Sequence, residues 1–228
     1  ISSGVDSKVE LEYANPIKWY TNNETFIYRQ INNILRLENF QLLMSYRYYI
    51  IDLCLQIETL YRHDKSHVTM IYRAGNISEI ELMNVKCGSK AGQYIAMNGF
   101  VSTTKSKRFA ESWTKCNKSK RPGVVSVIYE IRIDSNQPCT AFADIGNISQ
   151  HPEEQEVLFS IGAVFSVDQV IDPLVDDTDK FYYIKLTACD LNEIIIDDIR
   201  SKVKRSSQTA LRILLSKYLT ELGEYRFV

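Results

Sequence analysis

Three short segments hold the residues most able to do chemistry. His151-Pro152-Glu153-Glu154-Gln155-Glu156 leads directly into the apolar run Val157-Leu158-Phe159. Side chains alternate along a strand, so positions i and i+2 share a face about 7 Å apart at ~3.3 Å per residue. If Glu156 opens a strand, Glu154 and Glu156 point into one cleft. Two carboxylates so placed repel, which raises the pKa of one and leaves it a usable base. The plain alternative is a charged strand end, and Glu153 reads as a solvated corner. The second segment, Met70-Ile71-Tyr72-Arg73-Ala74-Gly75, sets an arginine at a strand end, where its planar paired donors suit phosphate oxygens. Its plain alternative is an edge charge with a local carboxylate partner. The third, Gly99-Phe100-Val101-Ser102-Thr103-Thr104, ends a strand in three hydroxyls just before a helix. Alone it reads most simply as a strand end plus a helix cap.

The elements that must position these side chains follow from the hydrophobic pattern. Helical spacing runs from Glu24 to Leu37 and again, densely, from Phe40 to Tyr61. The aromatic-rich run Ser45-Tyr46-Arg47-Tyr48-Tyr49 reads as part of a buried helix packed on a sheet. From residue 68 the period shortens. VTMIYRA, GFVST, GVVSVIYEIRI, CTAFADI, EVLFS, VFSVDQV and KFYYIKLTA read as strands rich in Val, Ile, Phe and Tyr. One helix is expected within this series, Lys105 to Asn117, capped by Thr104 or Ser106, with Phe109, Ala110 and Trp113 inward. Helices followed by strands indicate an α+β fold. A last helix is expected from Asp197 to Tyr225. Its Leu, Leu-Gly and Tyr spacing matches the first helix of a tetratricopeptide repeat, though a plain C-terminal helix is the simpler reading.

Composition narrows the function classes. With 27 basic and 28 acidic residues in 228, the chain has no basic stripe, so neither nucleic acid nor an anionic membrane is an expected partner. No apolar run reaches the roughly 20 residues of a membrane-spanning helix. The first residues do not resemble a signal peptide, and a start at Ile1 fits an excised fragment. Five cysteines, none in a CxxC pair, argue against a zinc site or a disulfide scaffold, and no metal is expected. Sequons at Asn23, Asn76, Asn117 and Asn147 include two flanking the segments above, where a glycan would obstruct a site. A cytoplasmic location follows, with secretion left open. Walker, GxGxxG, GxSxG and HExxH motifs are absent, which removes the commonest nucleotide, hydrolase and zinc-protease readings.

Taken together and in order, Tyr72-Arg73, Phe100-Val101-Ser102-Thr103-Thr104 and Glu154-Gln155-Glu156 resemble the motifs of the arginine-specific mono-ADP-ribosyltransferases, the R-S-E branch of the ADP-ribosylation fold. The resemblance extends over about residues 17 to 190 and includes the aromatic N-terminal helices. The chain departs from the family pattern at Ala74, where a glycine usually follows the arginine, and at Thr104, which replaces a serine. The family implies a helical lobe (1–66), a β-sandwich core of two sheets enclosing an NAD cleft (67–196) and a C-terminal segment (197–228). It implies transfer of ADP-ribose from NAD to an exposed arginine of a target protein, with release of nicotinamide. Arg73, Ser102, Glu154 and Glu156 are then the catalytic residues. Arg73, Ala74, Gly75, Ser102, Thr103 and Glu156 hold NAD. Glu156 grips the nicotinamide ribose, Ser102 holds the ribose and Glu156, and Glu154 meets the acceptor guanidinium. Gln150 and His151 are candidates to touch the target protein, against a plain reading as surface loop. The rival readings are an NAD glycohydrolase, with water as acceptor, and a non-catalytic module that retains the fold.

Overall fold

Asn15 caps the first described helix by accepting the Lys18 backbone N–H at 3.0 Å, with Pro16 in the first turn, where its missing N–H costs nothing. The computed structural model describes residues 15–22, 26–37, 40–63, 68–89, 93–134, 136–173 and 181–190. These lie within a single unit, residues 1–190. Among the described residues, three helices come first: α1 (Pro16–Tyr20), α2 (Ile27–Arg36) and α3 (Phe40–His63). Their shared apolar sides bury Ile17, Tyr20, Ile31, Leu53 and Ile57 against Phe100, Ala143, Ile145 and Leu158 of the sheet. Two side-chain bonds reinforce that packing. Gln56 Oε1 accepts the Ile17 N–H at 3.0 Å, and Tyr49 donates its hydroxyl to the Pro16 carbonyl at 2.9 Å.

The remaining described elements follow in chain order: β1 (Met70–Ser78), α4 (Glu79–Ser89), β2 (Tyr94–Met97), β3 (Val101–Thr104), α5 (Lys107–Cys116), β4 (Val124–Arg132), β5 (Phe142–Asp144), a 3₁₀ turn (Pro152–Glu154), β6 (Glu156–Phe159), β7 (Ala163–Ile171) and β8 (Tyr182–Cys189). The strands lie in the order β2-β7-β8-β4-β1-β3-β6-β5. All pairs are antiparallel except β4 with β8. The two expected sheets are joined at one seam: β1 meets β3 only at Tyr72↔Thr104, whereas β1 pairs with β4 along its whole length. The halves on either side of the seam share one core. Ile71, Val127, Phe165 and Ile184 from one half meet Val101, Val157 and Phe159 from the other. The rings of Phe159 and Phe165 stand edge to face with centroids 5.5 Å apart.

Alternation along β6 sorts its residues between two environments. Val157 and Phe159 enter the shared core, while Leu158 packs on the helices. Glu156, two residues before Leu158, therefore faces the helical side, and it is 6% exposed.

Several local expectations meet a different outcome. A second helix, α4, follows β1 directly. Its start is a capping box in which Ser78 N–H donates to Glu81 Oε2 at 2.8 Å and Glu81 N–H donates to Ser78 Oγ at 3.1 Å. The short edge strand β2 is also absent from the periodicity reading. In α5, Ser106 is the cap, accepting from Phe109 N–H at 3.2 Å, and Ala110 is buried, but Trp113 is 41% exposed. Thr114, at 1% exposed, takes the inward place and donates to the Ala110 carbonyl at 2.8 Å. The expected helix from Asp197 to Tyr225, with its repeat-like spacing, lies outside the described residues. No helix among the described residues is long and apolar enough to cross a membrane.

Candidate active site

The site is assembled where β3 and β6 run side by side and the turn before β6 meets the end of β3. Register pairs Ser102 with Leu158 and Thr104 with Glu156. Opposed residues share a face, so Ser102 stands diagonal to Glu156, within reach of a long carboxylate side chain. Ser102 Oγ donates to Glu156 Oε1 at 2.5 Å. Ser149 Oγ lies 3.5 Å from the other carboxylate oxygen, Oε2. Glu156 thus has a serine hydroxyl beside each oxygen, in surroundings that otherwise exclude water. Burial pushes its pKa above the usual carboxylate range. The Ser102 hydrogen bond opposes that rise and the nearby Glu154 charge adds to it.

Arg73 is half-buried in β1 and donates from one guanidinium nitrogen to the Ser102 carbonyl at 2.5 Å. That bond ties β1 to β3 close to the seam and brings Arg73 beside the residue that holds Glu156. Tyr20 lies close enough to Glu156 and Arg73 for both to act on its hydroxyl, whose pKa burial pushes up. Ala74 packs beside Ala110, Ile128 and Phe181. Gly75 pairs with Val127, and a side-chain carbon there would meet Tyr129 at only 3.7 Å, an ordinary contact, so sterics do not require glycine. Thr103 is 4% exposed and donates to the Val157 carbonyl at 2.7 Å, which pins β3 to β6.

Glu154 does not lie on the strand. The i, i+2 strand spacing expected for the two glutamates is replaced by a turn: Glu154 ends the 3₁₀ segment, and Gln155 adopts φ 48°, ψ 49° before β6 starts at Glu156. The left-handed conformation, uncommon for a side-chain-bearing residue, reverses the chain so that Glu154 leaves it ahead of the strand. The Glu154 charge still acts on Glu156, and both glutamates feel His151. Burial raises the pKa of Glu154, with His151 opposing and Glu153 adding to the shift. His151 Nδ1 lies 3.3 Å from Glu153 Oε1, both at the rim. The Gln150 N–H donates to Thr21 Oγ1 at 3.2 Å, so this loop is tethered to the end of α1.

Sequence reasoning missed the supports behind these residues. Asn32, 2% exposed on the apolar side of α2, donates to the Tyr20 hydroxyl at 2.7 Å and accepts the Phe100 N–H at 3.0 Å. Phe100 immediately precedes β3, so Asn32 links the helical lobe to the strand that carries Ser102. The available signal was an amide between Ile31 and Ile34, a polar residue where the pattern calls for an apolar one. Gly99, at φ 136°, lets the chain pass Asn32: a side-chain carbon there would lie 2.7 Å from Asn32 Oδ1. Ser149 carried no sequence signal, since its hydroxyl matters only because the loop folds back over Glu156.

Comparison with known proteins bears on the family and the fold. The model of the ADP-ribosyltransferase exoenzyme family matches residues 12–193. A comparison with curated protein sequences finds no match. Among solved structures, the fold is similar to that of the ADP-ribosyltransferase HopU1 of Pseudomonas syringae pv. Tomato DC3000, at 20% identity and a TM-score of 0.59, covering 78% of this chain and 76% of that one. It is also similar to the ADP-ribosyltransferase Vis from Vibrio splendidus in complex with agmatine, at 18% identity and a TM-score of 0.55, covering 83% and 78%. The ATR domain of Salmonella SpvB matches at 15% identity and a TM-score of 0.52, covering 78% of this chain and 99% of that domain. The family model spans the whole described unit: this chain belongs to the ADP-ribosyltransferase exoenzyme family.

Proposed function

We propose that the chain transfers ADP-ribose from NAD to the guanidinium of an arginine side chain. The observation that carries the reading is the buried Glu156 with its Ser102 hydrogen bond. In the reaction the bond between the ribose C1′ and the nicotinamide nitrogen breaks, and nicotinamide leaves with the electron pair. The ribose centre becomes cationic, so a carboxylate already fixed beside it stabilises charge without reorganising at the moment of reaction. Glu156 fills that role and Ser102 fixes its orientation. Arg73, with one nitrogen engaged by the Ser102 carbonyl, offers its remaining donors to the diphosphate.

A guanidinium is almost always protonated, with a pKa of roughly 12.5 to 13.8, and must lose a proton as its nitrogen attacks C1′. Glu154, half-buried and with a raised pKa, serves as the ion-pair partner and acceptor of that proton. An agmatine complex exists for the neighbour Vis, which makes agmatine the acceptor of choice for a test. Labelled NAD and agmatine should give labelled agmatine with the wild-type chain and none with Glu156→Gln or Glu154→Gln. Nicotinamide release without labelled agmatine would replace arginine transfer by hydrolysis or by another acceptor.

A further inference from the structure

Helix α3 is apolar on two sides, and the fold covers one of them. Ile50, Leu53 and Ile57 lie in the core that the helices share with the sheet. On the opposite side Met44, Tyr48, Ile51 and Leu55 are between 46% and 67% exposed. A helix that is hydrophobic all round is ordinarily covered all round. Tyr48 belongs to the aromatic run expected to be buried, yet it is the most exposed of the four. The four residues follow one another at intervals of four, three and four, the d-a-d-a order of a coiled-coil seam. Polar residues bound this seam at both ends. Exposed Gln41 precedes it, and Glu58 and Arg62 follow it as an ion pair at 2.5 Å. An apolar patch rimmed in this way marks a protein contact.

Two charges flank the seam. In the same lettering Arg47 takes a g position and Asp52 the e position five residues on. The Arg47 guanidinium lies over the Tyr48 ring, 4.2 Å from its centroid, and donates to the Tyr48 hydroxyl at 3.0 Å. Among the described residues it meets no carboxylate, and exposed Asp52 has neither an ion-pair nor a hydrogen-bond partner. One helix cannot join the two, because neighbours on its surface are three or four residues apart. Two parallel helices can, because the g residue of one faces the following e residue of the other. We propose that this face of α3 binds a second copy of the chain, with the two α3 helices parallel about a twofold axis. Each seam residue then meets its own counterpart. Arg47 of each copy pairs with Asp52 of the partner subunit, so the unmatched cation and anion are both used, on both sides of the axis.

Sedimentation velocity of the full chain at low salt, over about 1 to 200 µM, reads the assembly, and the wild type should pass from monomer to dimer. Ile51→Glu places a charge in the seam of each copy and should raise the dissociation constant about a hundredfold or more. Asp52→Arg and Arg47→Asp should each raise it about tenfold, since each sets like charges against one another. Arg47→Asp combined with Asp52→Arg should bring it back to within about threefold of wild type. All three positions are exposed in the single chain, and circular dichroism should show every variant folded. A wild type that stays monomeric throughout leaves the face to another partner and overturns the proposal. A dimer that Ile51→Glu leaves unchanged overturns it as well. A combined charge swap that is no better than either single change overturns the parallel pairing.

Discussion

Ser102 donates its hydroxyl to Glu156 Oε1 at 2.5 Å across two strands whose register sets Thr104, not Ser102, opposite the glutamate. The bond is diagonal and orients one carboxylate oxygen while leaving the other towards Ser149. A hydrogen bond to a charged group contributes about 1.5–3 kcal/mol. Ser102→Ala should therefore lower kcat for nicotinamide release by roughly 10- to 100-fold. NAD binding, measured by calorimetry, should weaken much less. Equal losses in kcat and binding would show that Ser102 serves the substrate rather than Glu156.

Burial raises the pKa of Glu156, so the folded state holds its proton more tightly than the unfolded chain does. Such a group stabilises the fold fully below the ordinary glutamate pKa of about 4.3, and that contribution is lost as pH rises through the raised value. At neutral pH the ionised carboxylate is then a net cost to stability. Glu156→Gln should raise the melting temperature at pH 7 to 8 while abolishing activity, and the gain should shrink towards pH 4. A melting temperature that falls at neutral pH would mean the Ser102 bond outweighs the burial penalty.

Arg73 engages a backbone carbonyl with one nitrogen, and the proposed diphosphate contact falls to its other donors. Lysine carries the charge but lacks the planar fork, and cannot serve two sites in fixed directions. Arg73→Lys should raise the KM for NAD by about tenfold or more with a smaller change in kcat. Steady-state kinetics of nicotinamide release read both values. An unchanged KM would remove Arg73 from the diphosphate.

Asn32 joins the Tyr20 hydroxyl to the Phe100 N–H in a site almost closed to water. Asn32→Ala leaves both without that partner, and each unsatisfied buried group costs about 1–3 kcal/mol. Urea unfolding should show a loss of about 2–5 kcal/mol. A residual activity below that of wild type in the fraction still folded would show that the link also aligns β3. Gly99→Ala should give a similar loss, from the approach to Asn32 Oδ1 at 2.7 Å.

Transfer to a guanidine acceptor should show an acid limb set by the two coupled glutamates. Both pKa values are raised, so the ionised pair needed for the reaction accumulates only above the ordinary glutamate value of about 4.3. The pH profile of kcat/KM for agmatine should fall on the acid side above that value. Glu154→Gln, compared through nicotinamide release, should move the limb to lower pH, because the repulsion on Glu156 is gone.

Elements whose signals are local can be read from the chain alone. The long apolar alternation of Val124 to Arg132 and of Ala163 to Ile171 reads as strand, and the spacing from Phe40 onward reads as helix, because period is a property of neighbours in the chain. The motif residues were also legible: Arg73, Ser102 and Glu156 meet in space as their order suggested. The start of α4 was equally local, written as Ser78-Glu79-Ile80-Glu81, and periodicity passed over it because a strand leads straight into it. How the site is held depends on contacts between distant parts of the chain. Ser102 and Glu156 are 54 residues apart, and which serine reaches the carboxylate depends on strand register. The left-handed Gln155, which takes Glu154 off the strand, exists because Thr104 and Lys105 hold the carbonyls on both sides of its peptide. Asn32 and Ser149 have no motif, since a buried hydrogen bond is defined by what the folded chain closes around it. Register, burial and backbone strain belong to the packed chain, and no window of neighbouring residues contains them.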